Sequence, residues 1–189
     1  MQSTFIWIIG FIAIIWTVEA INTVSGHRLD SWGILPRTTQ GLRGIPLSLF
    51  IHGSFSHVIS NTVPLVLLGG LVALKGRRVL IEVSIVIIVI SGFAVWIFAR
   101  SAFHIGASGL VFGYFGYLVS RGLWDRSIAS LLIAGLALVL YGGILFGVVP
   151  TQDFISWEGH LFGLVAGILA ARFNAANRRR LPLSDKRIP

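Results

Sequence analysis

The chain has 189 residues, of which 55% are hydrophobic and only 12% charged, with a mean hydropathy of +0.86. Soluble domains of this length carry about twice that share of charge, so the composition excludes an ordinary water-soluble globule. Fifteen Lys and Arg against seven Asp and Glu give a formal net charge of +8. That excess would point to nucleic acid in a soluble protein, but these charges sit in short clusters between long apolar runs. A membrane therefore takes precedence over nucleic acid as the partner. With no cysteine, disulfides, thiolate metal sites and a cysteine nucleophile are excluded.

A spanning helix needs roughly 20 apolar residues. Charge-free runs lie at 1–18, 44–74, 83–99, 101–120, 127–152 and 159–171. They predict six transmembrane helices near 4–24, 54–74, 79–99, 107–120, 127–148 and 158–172. The first lacks a basic leader and a small-residue cleavage site, so it reads as a retained helix. A long loop, 25–53, follows it. The expected fold is an all-α polytopic membrane domain over 1–173, with a disordered basic tail over 174–189.

Basic residues set the orientation. Lys75, Arg77, Arg78, Arg121, Arg126, Arg172 and the five basic residues of the tail put eleven on one side, against Arg28, Arg37, Arg43 and Arg100 on the other. Both termini are then cytoplasmic and the long loop is outside.

Counting back from the cytoplasmic charge that ends each helix, Asn61 lies 14 residues before Lys75, Ser108 13 before Arg121, and His160 12 before Arg172. At about 1.5 Å per residue all three sit roughly 18–21 Å above the inner boundary, near the outer third of a core about 30 Å thick. His57 lies one turn above Asn61 on the same face. Helix 4 starts late, because Gly106-Ala107-Ser108-Gly109 is a poor helix interior. The chain is expected to dip in as a loop and begin its helix near Ser108, where unpaired N–H groups collect. Gly109 and Gly113 form one small-residue face; Gly159, Gly163 and Gly167 form another. If these faces pack together, Ser108 and His160 meet.

A serine becomes nucleophilic when a neutral histidine takes its proton, and the resulting oxyanion needs fixed donors. The pattern assigns Ser108 as nucleophile and His160 as general base. The backbone at Ser108 and Ala107, the Asn61 amide and the His57 ring are the donors. No acid lies at the depth of His160 on another helix, and Glu158 points elsewhere, so a dyad is expected. No cofactor and no metal are implied. His52 reads as a structural residue, His104 as a surface residue, and Glu19 as an interfacial cap. Trp16, Trp32, Trp96 and Trp157 read as belt and packing residues. Helix 5 is the candidate gate, since no motif ties it to the core.

At these residues the chain resembles the rhomboid family of intramembrane serine proteases. The resemblance rests on His57-Val58-Ile59-Ser60-Asn61, then Gly106-Ala107-Ser108-Gly109, then Gly159-His160 with Gly163. It implies six helices and catalysis by Ser108 and His160. It also implies oxyanion stabilisation by Asn61, His57 and the Ser108 backbone, with His52 supporting the outer loop. The implied substrates are single-span membrane proteins cut within or near the transmembrane segment at a small residue. The implied location is the inner membrane of a prokaryotic cell, with the site opening outward. Two positions depart from the family pattern. Phe112 stands where many bacterial members carry a tyrosine stacked on the histidine, and the outer loop has Trp32, Arg37 and Arg43 but no adjacent Trp-Arg pair. The alternatives are an inactive client-binding relative, a small transporter and a histidine metalloenzyme.

Overall fold

A computed structural model describes residues 2–125, 127–150 and 155–180, with side chains described over 5–125, 127–150 and 155–176. The described residues are helical, without named strands. The long helices are α1 (Gln2–Val24), α2 (Phe55–Ala73), α3 (Arg77–Phe98), α4 (Ser108–Asp125), α5 (Ile128–Tyr141) and α6 (Trp157–Arg180). Five stretches are long and apolar enough to cross a membrane: Phe5–Val24, Phe55–Ala73, Arg77–Phe98, Ile128–Val148 and Trp157–Ala176.

α4 is not among them, for a reason visible in its surroundings. From Leu110 to Gly122 nearly every residue is buried, so α4 meets other helices rather than lipid and is free to carry Gly, Ser and Tyr. α6 lies against it at glycine distance. A Cβ at Gly163 would run into the Gly109 carbonyl, and one at Gly167 into the Gly113 carbonyl. Small residues on both faces let the two backbones touch. On its other side Tyr114 shares a 2.7 Å hydrogen bond with Ser84 of α3.

Three helix ends differ from expectation. α4 runs to Asp125 rather than 120 because Arg121 is buried, its guanidinium bonded to Asp125 and to the Tyr117 hydroxyl. Paired in this way, a charge need not end a helix. α5 ends as an α-helix at Tyr141 and continues as a 3-10 helix over Gly142–Val148, where the Gly142-Gly143 pair weakens helix propensity. α6 continues to Arg180, so the expected tail begins inside a helix. Ala and Arg are good helix formers, and basic residues suit a helix C-terminus. Residues 181–189 and Arg126, both used in the orientation count, lie outside the described residues.

The loop between α1 and α2 folds into short helical turns (Arg28–Trp32, Thr39–Leu42, Gly44–Leu47, Ser48–Phe50). Arg37 docks it onto α3, its guanidinium donating to the carbonyls of Ile97 and Ala99 at 3.0 and 2.8 Å. A cation there meets the negative end of the α3 dipole. Arg43 lies over the Trp32 ring, 5.1 Å from its centroid, so a Trp–Arg pair absent as neighbours in sequence exists in space. Ile34 exchanges two backbone hydrogen bonds with His104, fastening the loop to the segment that leads into Ser108.

Candidate active site

Ser108 is the first residue of α4. The chain reaches it through Gly106, which has φ +110°, a conformation that favours glycine. Space demands glycine too, since a Cβ at this position would stand 2.8 Å from the His57 ring. The Gly106 N–H donates to the Ser48 carbonyl at 2.9 Å, and the Ala107 N–H donates to His52 Nε2 at 3.3 Å.

His160 sits in the first turn of α6, and its Nε2 lies 2.9 Å from Ser108 Oγ. Its Nδ1 lies 2.8 Å from the Gly147 carbonyl oxygen. A carbonyl only accepts, so Nδ1 carries the proton and donates. In the neutral ring Nε2 then has its lone pair toward the Ser108 hydroxyl. Phe112, one turn after Ser108, stacks on the imidazole with centroids 4.2 Å apart and planes at 9°. Gly147 itself closes over both rings, for a Cβ there would stand 2.8 Å from the tip of Phe112.

Two further clamps join the two histidine-bearing and serine-bearing segments. Ser156, just before α6, takes a hydrogen bond from the Gly159 N–H at 3.3 Å and pairs with His104 Nδ1 at 2.6 Å. Arg100 forms an ion pair with Glu158 at 3.3 Å and donates to the Ile155 carbonyl at 2.7 Å.

A cavity of about 890 Å³ opens beside the pair. Ser56, His57, Ser60, Asn61 and Pro64 of α2 line it, as do Leu140, Tyr141 and Ile144 of α5 and its extension. Asn61 donates one amide hydrogen to the His57 carbonyl at 3.0 Å, and a primary amide has a second to give. The His57 and His52 rings meet edge to face, 4.8 Å apart. α5 is the least embedded wall: 11% of its apolar stretch is buried, against 39% for α2.

Several expectations need correction. The Ala107 N–H, expected among the oxyanion donors, is directed instead at His52 Nε2. His104 is buried rather than on the surface, because its ring nitrogens meet Ser156 and the Arg100 carbonyl at 3.1 Å. Glu19 is fully buried rather than capping at the interface. His52 is also fully buried, and its carbonyl accepts from Asn22 Nδ2 of α1 at 3.0 Å. Burial, and secondarily the neighbouring His57, pushes the His52 imidazole down to about 3; burial likewise lowers His104. A neutral ring suits His52, since it accepts at Nε2.

The Gly147 carbonyl and Asn22 escaped the sequence reading. A backbone carbonyl has no signature, and Asn22 was one polar residue at a helix end among many. Among the described residues no group of three His, Asp or Glu side chains converges as a metal centre would require.

The family model described as the Rhomboid domain matches residues 40–176. An uncharacterised protein of Mycobacterium tuberculosis and one of Mycobacterium bovis are each 36% identical, covering 92% of this chain and 79% of theirs. An uncharacterised protein of Mycobacterium leprae is 35% identical, covering 92% of this chain and 75% of its own. The chain is an integral membrane protein of the rhomboid family.

Proposed function

We propose that this protein is an intramembrane serine endopeptidase that cuts single-span membrane proteins with a Ser108–His160 dyad. The observation that carries the reading is the chain of two hydrogen bonds running from Ser108 through His160 to the Gly147 carbonyl. It gives the neutral imidazole the tautomer a general base needs and orients it by a backbone carbonyl where other proteases use a carboxylate.

The Ser108 oxygen attacks the scissile carbonyl carbon while His160 Nε2 takes the hydroxyl proton. The negative charge moves to the carbonyl oxygen, where the Ser108 N–H, the second Asn61 amide hydrogen and the His57 ring stabilise it. Collapse breaks the C–N bond, and His160 returns the proton to the departing amine. An acyl ester remains on Ser108. Water then attacks that ester, its proton passing to His160, and the collapse frees the new carboxylate and restores the serine hydroxyl. The glycine-flanked serine is bare of neighbouring bulk because the peptide must reach it, and the cavity supplies the water.

In this reading α4 is a sixth crossing, shielded by the others, and both termini are cytoplasmic. Residues 1–173 form the membrane domain. The cavity opens outward and sideways between α2 and the loosely held α5, through which a substrate helix enters.

The test is cleavage of a tagged single-span protein by purified enzyme in detergent, with Ser108→Ala and His160→Ala alongside. A discrete fragment made by wild type, lost in both variants and indifferent to chelator, is expected. Activity that survives Ser108→Ala overturns the serine mechanism. Fluorophosphonate labelling of wild type but not of Ser108→Ala reports the nucleophile independently of the substrate chosen.

A further inference from the structure

His104 and Ser156 are bonded to each other, and each stands one helical turn's worth of chain before a member of the dyad. The pair repeats the chemistry of Ser108 and His160 with the segments exchanged: the loop before α4 supplies the imidazole, and the start of α6 the hydroxyl. His104 Nε2 lies 3.1 Å from the Arg100 carbonyl, which only accepts, so Nε2 carries the proton. In the neutral ring Nδ1 is then an acceptor, and the Ser156 hydroxyl donates to it at 2.6 Å. The Ser156 oxygen in turn accepts the Gly159 N–H at 3.3 Å, and the Ser156 carbonyl accepts the His160 N–H at 3.2 Å. Ser156 thus serves as the N-cap of α6, and His160 rides on the turn it caps. His104 is itself held, because its backbone exchanges two hydrogen bonds with Ile34. Both His104 and Ser156 line the cavity beside the dyad, so protons can reach the ring. The charged and titratable groups around that ring are Arg100 on its own segment and Glu158 on α6. These two pair with each other, while His57 of α2, Tyr141 of α5 and His160 of α6 line the same cavity. Burial favours the neutral form of His104.

We propose that His104 is a positioning residue for the dyad: its neutral ring holds the Ser156 hydroxyl in the orientation that caps α6, and the cap keeps His160 in line with Ser108. A protonated His104 carries a hydrogen at Nδ1 and has no lone pair there. The Ser156 hydroxyl must then turn away, and the first turn of α6 loosens under His160. The site therefore works only when two histidines are neutral, His160 to take the serine proton and His104 to keep His160 in place. The inference rests on the protease reading and adds to it a second acid limit, set away from the reacting atoms.

The test measures labelling of Ser108 by a fluorophosphonate on the full chain in detergent, as a saturating rate and a half-saturating concentration. His104→Phe keeps a ring and removes both nitrogens. Its saturating rate is expected to fall about tenfold, the loss of one hydrogen bond of ordinary strength, with the half-saturating concentration unchanged. His104→Asn, which keeps an acceptor toward Ser156, is expected to restore most of the rate. In a Ser156→Ala background His104→Phe is expected to cause no further loss, since the two side chains act as one unit. The pH profile separates positioning from a merely structural role. Over the acid range from which the full rate returns at neutral pH, the log rate of wild type is expected to fall more steeply than that of His104→Asn, by about one unit per pH unit. Additive losses in the double variant, equal slopes in wild type and His104→Asn, or a folded His104→Asn as slow as His104→Phe each overturn the proposal. A wild type that never labels overturns the serine reading beneath it instead.

Discussion

Phe112 and His160 lie face to face, 4.2 Å between centroids, with their planes 9° from parallel. The stack restrains the imidazole on one face while the Gly147 carbonyl fixes its Nδ1 edge, so ring rotation is limited about both axes. The departure from tyrosine at position 112 keeps the ring that does this. Phe112→Ala removes a contact worth about 0.5–1.5 kcal/mol and is expected to lower kcat several-fold, with little change in KM. Phe112→Tyr is expected to retain activity. Steady-state kinetics on one substrate check both; equal kcat in Phe112→Ala would remove Phe112 from the positioning of His160.

The contact between α4 and α6 leaves no room for a side chain at Gly163, where an added methyl would meet the Gly109 carbonyl. Backbone cannot rotate away as a side chain can. Gly163→Ala is therefore expected to cost about 1–3 kcal/mol and to reduce activity by separating Ser108 from His160. Gly135→Ala, where nothing lies within 4 Å, is expected to be neutral or slightly stabilising. Thermal unfolding in detergent distinguishes the two.

Arg100 and Glu158 hold the loop before Ser108 to the start of α6. The Glu158 side chain is nearly closed from solvent and that of Arg100 is about a third exposed. Arg100→Gln strands a buried carboxylate, and such one-sided removals cost about 3–5 kcal/mol when both partners are buried; with Arg100 partly wet, about 2–3 kcal/mol is expected. The double variant Arg100→Gln/Glu158→Gln is expected to recover part of that loss. A melting temperature no lower in Arg100→Gln than in wild type would contradict the clamp.

Acid should weaken the protein above the carboxylate range. His52 stays neutral in the fold until about pH 3, whereas an unfolded histidine binds a proton near 6.5. As pH falls through 6.5 the unfolded chain gains protons the fold cannot take, so stability is lost, by up to about 1.4 kcal/mol per pH unit for each such group. His104, also lowered by burial, adds in the same direction. Stability is expected to be constant from pH 8 to 7 and to decline from about 6.5 downward. His52→Gln, which keeps an acceptor for the Ala107 N–H, should flatten part of that decline in a pH series of thermal melts.

The apolar runs were sufficient to place the five stretches long and apolar enough to cross a membrane, because hydrocarbon allows few alternatives to about 20 apolar residues that satisfy their own backbone. The glycine faces on either side of Ser108 and His160 were legible for a related reason: only small residues let two helices approach at backbone distance. The polar groups that line the cavity, His57, Asn61, Ser108 and His160, were legible as candidates too, since a histidine or asparagine in an apolar run stands out. Arg121, His104 and Glu19 were misread because exposure depends on partners from elsewhere in the chain. An arginine that finds Asp125 and Tyr117 can be buried, and one that does not must end its helix. Tertiary structure alone decided that Gly147 orients His160, that Ala107 answers to His52, and that Arg43 finds Trp32. Each of these joins segments distant along the chain through a backbone group or a flexible side chain. Backbone carbonyls and N–H groups are the same at every residue, so no sequence pattern distinguishes the one that does the work; only packing brings it within 3 Å.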